Sequence, residues 1–193
     1  MLAENSIALK EWAAVCLALI EGRQSLLVRK GGIAEGAGGF RFEHNEFWLF
    51  PTQFHQSAEQ VADPARDLVR RVESQAPPPG RLHLSAYAEV RAVAFVEDES
   101  RLDELAGWHV MSSKVVRERF HYRRPGLFIA AVEVFQQSQI VDLADQVRYA
   151  GCHSWVQLER AISTSRLERK RPHHPMASAI QLVASLGGNP VVS

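Results

Sequence analysis

The side chains able to do chemistry fall into three groups. The first is Glu43-His44-Asn45-Glu46, with Glu35 upstream and His55 downstream. Carboxylates and imidazoles at these distances could hold a divalent metal such as Mg, Mn or Zn. A metal-assisted hydrolase or nuclease would use Glu35, Glu43, His44 and His55 as ligands. Lys30 would stabilise developing negative charge, which makes Lys30, Glu43 and His55 the catalytic candidates. The spacing matches no His-Glu-x-x-His helix, and a solvated hairpin turn accounts for 43–46 equally well. The second group is cationic and aromatic. Lys114, Arg117, Arg119, Arg123 and Arg124 face a single Glu118 between 110 and 125, interleaved with Phe120, His121 and Tyr122. With Arg29 and Lys30, the arginines 117, 119, 123 and 124 could contact phosphate, while Phe120, Tyr122 or His121 stacks on a base. Solvated helix faces that pair with each other would explain the same charges. The third group, the nucleophiles, is weak. There is no Gly-x-Ser-x-Gly elbow. Cys152 lies beside His153, but neighbours on a strand point to opposite faces, so a packed cysteine is the better reading.

Two loops must carry part of this set. Residues 31–39 hold five of the twelve glycines. They lack the Lys-Ser/Thr that a phosphate-binding P-loop needs after its last glycine. A strand follows them where a dinucleotide fold needs a helix. A Nudix reading needs an acidic helix with closely spaced Glu residues for metal, and the sequence offers none. What remains is an irregular loop, or backbone N–H groups near Arg29 and Lys30 that hold an anion. Pro51-Thr52-Gln53-Phe54-His55-Gln56 puts hydroxyl, amide and imidazole groups after an aromatic strand, where functional loops sit. A turn whose polar groups satisfy the backbone is its plainer explanation.

Charge and composition narrow the classes. The 193 residues carry 22 Lys+Arg and 22 Asp+Glu, for zero formal charge. That excludes a polybasic protein and an acidic disordered tail. The zero is a cancellation: +4 at 110–125, +3 at 163–175, and −4 at 97–104. Two cysteines, Cys16 and Cys152, exclude a disulfide scaffold. The longest apolar run, 12–20, is far short of the ~20 residues of a membrane span. Glu4 and Glu11 stand where a signal peptide would be basic. The expectation is a soluble cytoplasmic protein with no membrane partner and with reduced, buried thiols.

The elements that position these groups read as α+β: a mixed or mostly antiparallel sheet with flanking helices. Ser6 would cap a helix over 6–21, stopped by Gly22; a strand with a hairpin at 21–24 competes. Strands follow at 25–30, 40–43 and 47–50, the last stopped by Pro51. Asp63-Pro64 opens a helix with Leu68, Val69 and Val72 on its apolar face. Ala76-Pro77-Pro78-Pro79-Gly80 is a stiff internal linker. One or two strands span 82–96, an acidic capped helix 97–106, and a helix 114–120 with Ser112 or Ser113 as cap. Residues 126–135, apolar on both faces, read as a central strand, and 154–158 as a further one. The division is one α+β domain over 1–160, then a basic tail with a short helix at 177–186.

Several blocks of the sequence belong together. They are Ala8-Leu9-Lys10-Glu11-Trp12-Ala13, Leu27-Val28-Arg29-Lys30-Gly31-Gly32-Ile33, Phe42-Glu43-His44 with Phe47, Pro51-Thr52 and His55-Gln56. Further on come Arg119-Phe120, Tyr122, Pro125-Gly126-Leu127, and Gly151-Cys152 with Ser154-Trp155-Val156. Together these blocks resemble the bacterial domain-of-unknown-function family 1802, and that resemblance brings no catalytic residues with it. A helix, Gly22 and a strand ending in Arg29 before a mostly β body also resemble the opening of ASCH and PUA-like barrels, which implies a possible PUA-like barrel and an association with RNA. The leading expectation is RNA, nucleic-acid or nucleotide binding through a basic and aromatic surface. The alternatives are the metal-assisted hydrolase or nuclease, with a divalent metal as cofactor, and a non-catalytic partner-binding domain.

Overall fold

Alternation between the two faces of one sheet organises the chain. Phe47 and Leu49 point into one apolar core and Trp48 and Phe50 into another, so successive residues of a strand feed opposite sides. The computed structural model describes residues 1–30, 42–53 and 56–191. Its elements are strand β1 (Glu4–Trp12), helix α1 (Ala13–Ile20), β2 (Leu26–Arg29), β3 (Glu46–Thr52), α2 (Arg66–Ser74), β4 (Arg81–Val96) and α3 (Ser113–His121). They continue with β5 (Leu127–Ala144), β6 (Trp155–Ser163), β7 (Leu167–Arg169), α4 (Met176–Ser185) and β8 (Asn189–Pro190). The strand order is β2-β5-β4-β3-β1-β6, with β7 on β5 and β8 on β4. Only the β1/β3 pair is parallel among the described residues, so the sheet is mixed and the fold is α+β.

The expected helix over 6–21 is half a strand. Ala8 and Leu9 are fully buried and belong to different cores, so this stretch is covered on both faces between β3 and β6. A strand between two neighbours does that; a helix cannot, and tertiary pairing outweighs the weak helix propensity of Ala, Leu and Lys. Helix α1 begins only at Ala13. It lacks a side-chain cap of its own, and Gln56 supplies one from afar, its Oε1 accepting from the Ala14 N–H at 3.1 Å. Gly22 closes the helix at φ +73° as expected, and a Cβ there would meet the Arg171 carbonyl oxygen.

Other expectations shift for local reasons. Residues 82–96 form one strand whose two register shifts, at Leu84/Ala86 and Val90/Ala92, let it bend without breaking. The 97–106 element is a 3₁₀ run over Glu99–Leu105, capped by Asp98. Its period of three lines up Leu102 and Leu105, both buried. β3 runs through Pro51 to Thr52, because a proline next to the last strand position forfeits little pairing. Phe42 and Glu43 are outside any strand, while the rest of the 40–43 prediction and the glycine-rich 31–39 loop lie outside the described residues. Cys16 is buried, but Cys152 is exposed in the turn before β6 rather than packed on the strand. The residues after 160 complete β6, add β7 to β5, and pack α4 on β4 and β5. No described helix is long and apolar enough to cross a membrane.

Candidate functional site

The two ends of the strand path meet through side chains. β2 stands four places from β1 in the sheet, yet Arg29 at its end reaches across to β1 and to Ser154, just before β6. One Arg29 Nη donates to the Glu11 carboxylate at 2.8 Å and to the Lys10 carbonyl at 3.0 Å. The other donates to Ser154 Oγ at 2.7 Å. The sheet must therefore curl until its ends approach. Glu11 is 2% exposed, and its second oxygen accepts from the Trp12 N–H. Thr52 Oγ1 donates to the Glu11 carbonyl, which ties the end of β3 into the same knot.

Arg119 of α3 extends this cluster. Its guanidinium lies 4.4 Å from the centre of the Trp12 ring and donates to the Val28 carbonyl. Burial pushes its pKa down to about 10; Glu11 works against that shift and Arg29 with it. It stays a cation at neutral pH. His109 is pushed down to about 4 by burial, and then by Arg119, so its ring is neutral there. This is a buried charge network with one carboxylate between two guanidiniums.

Lys30 leads outward. Its ammonium donates to the carbonyls of Phe120 (2.9 Å), Gly126 (2.7 Å) and Arg124. That uses all three of its donors. Burial, then the neighbouring Arg124, lowers its pKa. The three carbonyls belong to residues 120–126, the link from α3 to β5, closed at its base by the Gly126 N–H on the Phe120 carbonyl. At its tip the Arg124 N–H bonds to the Tyr122 carbonyl at 2.9 Å, around Arg123 at φ +64°. An i→i+2 closure with positive φ is a strained γ-turn, and strain of this kind persists only where the surroundings over-determine it. Lys30 provides that.

The loop therefore presents its side chains from a fixed backbone. Tyr122 is 43% exposed, and Arg123 and Arg124 are exposed beside it. The Arg123 guanidinium lies 5.4 Å from the centre of the Tyr122 ring. Neither arginine has a carboxylate within 4.0 Å among the described residues. The block's other solvent-facing members, Lys114, Arg117 and His121, each meet a carboxylate. Arg117 pairs with Asp103 at 2.8 Å and with Glu99 at 3.8 Å, His121 meets Glu99 at 3.0 Å, and Lys114 meets Glu118 at 3.9 Å. The acidic 3₁₀ run cancels one face of α3 and leaves the loop.

The expected phosphate and base contacts thus divide, His121 going with Glu99. Arg29, Lys30, Arg119 and the buried Phe120 face inward, Arg117 is paired, and Tyr122, Arg123 and Arg124 face solvent together. Of the metal candidates, Glu43 is exposed and His44 packs edge-on against Trp155 with centroids 4.9 Å apart. Glu35 and His55 lie outside the described residues. Among the described residues no three of His, Cys, Asp and Glu come together to hold a metal. Sequence reasoning missed Glu11, Trp12, His109 and Ser154. A lone carboxylate at the edge of the apolar 12–20 run was the available signal for Glu11.

Comparison with known proteins gives two findings and one absence. Solved structures of an ASCH protein from Zymomonas mobilis are similar at a TM-score of 0.42 and 10% identity, over 93% of this chain and 94% of that one. A single-residue variant of the same protein gives 0.42 over 80% and 90%. At TM-scores this low the likeness is loose, and the site rests on its own residues. No curated protein sequence matches. The model of the family described as "Domain of unknown function (DUF1802)" matches residues 8–177, and the chain belongs to that family.

Proposed function

We propose that this protein binds RNA, or a related nucleic acid or nucleotide, through the loop at 121–125. One observation carries the reading: a strained turn, pinned by Lys30, sets an exposed tyrosine beside two exposed arginines with no acidic partner among the described residues. A guanidinium forks onto phosphate oxygens and a phenol ring stacks on a base. Holding the backbone in advance removes part of the ordering cost of binding. Arg29 and Arg119 support the fold from within and take no part in contact with the ligand.

The test is fluorescence anisotropy with labelled single-stranded RNA, read across a salt series. Affinity should fall steeply with salt. Arg123→Ala with Arg124→Ala should lower the slope of log K against log salt by about 1.4, near 0.7 for each arginine that neutralises one single-strand phosphate. Tyr122→Ala should weaken binding by about 1–3 kcal/mol at unchanged slope. A nucleoside triphosphate used as competitor separates a nucleotide site from a polynucleotide site. If the double variant binds as the wild type does, the loop is not the binding surface.

A further inference from the structure

At the base of this loop sits a second aromatic ring. Phe95, near the end of β4, is 42% exposed. Its neighbours on the same strand, Ala94 and Val96, are buried, so the strand turns Phe95 to the outer face while its alternate residues fill the core. The ring is held from two sides. Phe128 lies directly opposite on β5, with ring centroids 4.7 Å apart. Gly126 lies against the tip of the ring: a Cβ at that position would come within 2.4 Å of Phe95 Cζ, and the residue has φ +130°. Only glycine leaves room for the ring and adopts that backbone without strain. Gly126 is also one of the three carbonyls that Lys30 holds. The lysine that pins the loop thus also fixes the residue against which the tip of the Phe95 ring rests.

We infer that Phe95 is a base-stacking residue of this site and that the ligand it serves is single-stranded nucleic acid. This rests on the nucleic-acid reading above and narrows it. Two residues of chain separate Gly126 from Arg124, a span of about 7 Å. That is about two stacked nucleotides at 3.4 Å each. A base on Phe95 therefore sets its own backbone, or its neighbour's, within reach of Arg124. A duplex keeps its base faces inside the stack, whereas unpaired bases offer them to aromatic rings. Exposed rings beside cations with no acidic partner among the described residues fit a strand that offers both π-faces and phosphates.

The experiment compares labelled single-stranded RNA with the same sequence annealed to its complement. Phe95→Ala should weaken single-strand binding by about 5- to 150-fold, with the salt slope unchanged because the ring neutralises no phosphate. Phe95→Trp, which keeps a stacking face, should bind within about twofold of wild type. The duplex should bind more weakly than the single strand and ignore Phe95→Ala. Circular dichroism and thermal melting check that each variant folds. If Phe95→Ala binds normally while the Arg123/Arg124 double variant is weakened, the nucleic-acid reading stands and the stacking role falls. If Phe95→Trp loses as much as Phe95→Ala, or if the duplex loses as much as the single strand, stacking is overturned. If the wild type binds neither form, both readings fall together.

Discussion

Arg29 and Arg124 carry the same guanidinium and meet opposite fates. Arg29 sits inside the curl of the sheet, bonded to Glu11, the Lys10 carbonyl and Ser154. Arg124 stands in solvent at the loop tip, held through its backbone, its carbonyl by Lys30 and its N–H by the Tyr122 carbonyl. The inner cluster spends its positive charge on holding strand ends together. The loop uses backbone bonds for support, which leaves its charges for a ligand. In this molecule the half-buried Lys30 and the strained turn are the link between the two regions.

The largest expected effect breaks the inner region. Arg29→Ala leaves the Glu11 carboxylate, 2% exposed, without its ion pair. Stability should fall by about 3–5 kcal/mol, the cost of an uncompensated buried charge. Pairing Arg29→Met with Glu11→Gln should recover much of it. Arg124→Ala should stay within about 0.5 kcal/mol of wild type, as exposed positions do. Urea unfolding followed by tryptophan fluorescence reads all four. If Arg29→Ala matches Arg124→Ala, the two regions do not differ in kind.

Next comes a pH dependence confined to the inner region. His109 has a folded pKa of about 4, below its ordinary 6.5. The unfolded chain therefore holds more of this proton between those values. The contribution is complete above pH 6.5 and is lost as pH falls through 4; it amounts to about 3 kcal/mol at most. The wild type should lose stability over that window relative to His109→Leu. Tyr122→Ala should follow the wild-type profile. Superimposable wild-type and His109→Leu curves would mean that His109 is hydrated in the fold.

How much of this could be read from the residues depends on what each feature needs. Local signals sufficed for the Gly22 stop, the Ser112 cap, whose Oγ accepts from the Val115 N–H, and the central strand at 126–135, whereas Asp63-Pro64 opens a 3₁₀ turn without a cap bond and α2 starts only at Arg66. The first three are settled within a few residues. β1 was not legible, because its strand conformation comes from pairing with β3 and β6, more than thirty residues away. The basic block was legible as composition but not as a surface. Whether Arg119 or Arg123 faces solvent depends on Trp12 and Val28, which no spacing rule connects to 119. Phe95 shows the same limit: alternation marks it as outward-facing, but the glycine that makes room for it lies 31 positions away.

The junction between the regions gives an intermediate effect. Gly126→Ala forces a Cβ into the Phe95 ring and a side chain onto φ +130°. A cost of about 1–3 kcal/mol is expected, with a lower melting temperature and weaker single-strand binding together. Arg123→Ala should weaken binding while leaving the melting temperature in place. A Gly126→Ala protein as stable as the wild type would show that the ring yields freely and was never held.

The smallest effect sharpens the comparison most. Arg123 is the only described non-glycine residue with positive φ. An L-residue in that region costs about 1–2 kcal/mol, which glycine avoids. Arg123→Gly also gives up the cation–π pairing with the Tyr122 ring and adds freedom to the unfolded chain, and these offset much of the gain. The net change should lie between zero and about 1 kcal/mol in favour of the variant. At the same time its salt slope for RNA should drop by about 0.7. Stability rising or holding while binding falls is the signature of a side chain kept in a strained position for contact with a ligand. A clear loss of stability would instead place Arg123 with Arg29, as a structural cation that happens to face water.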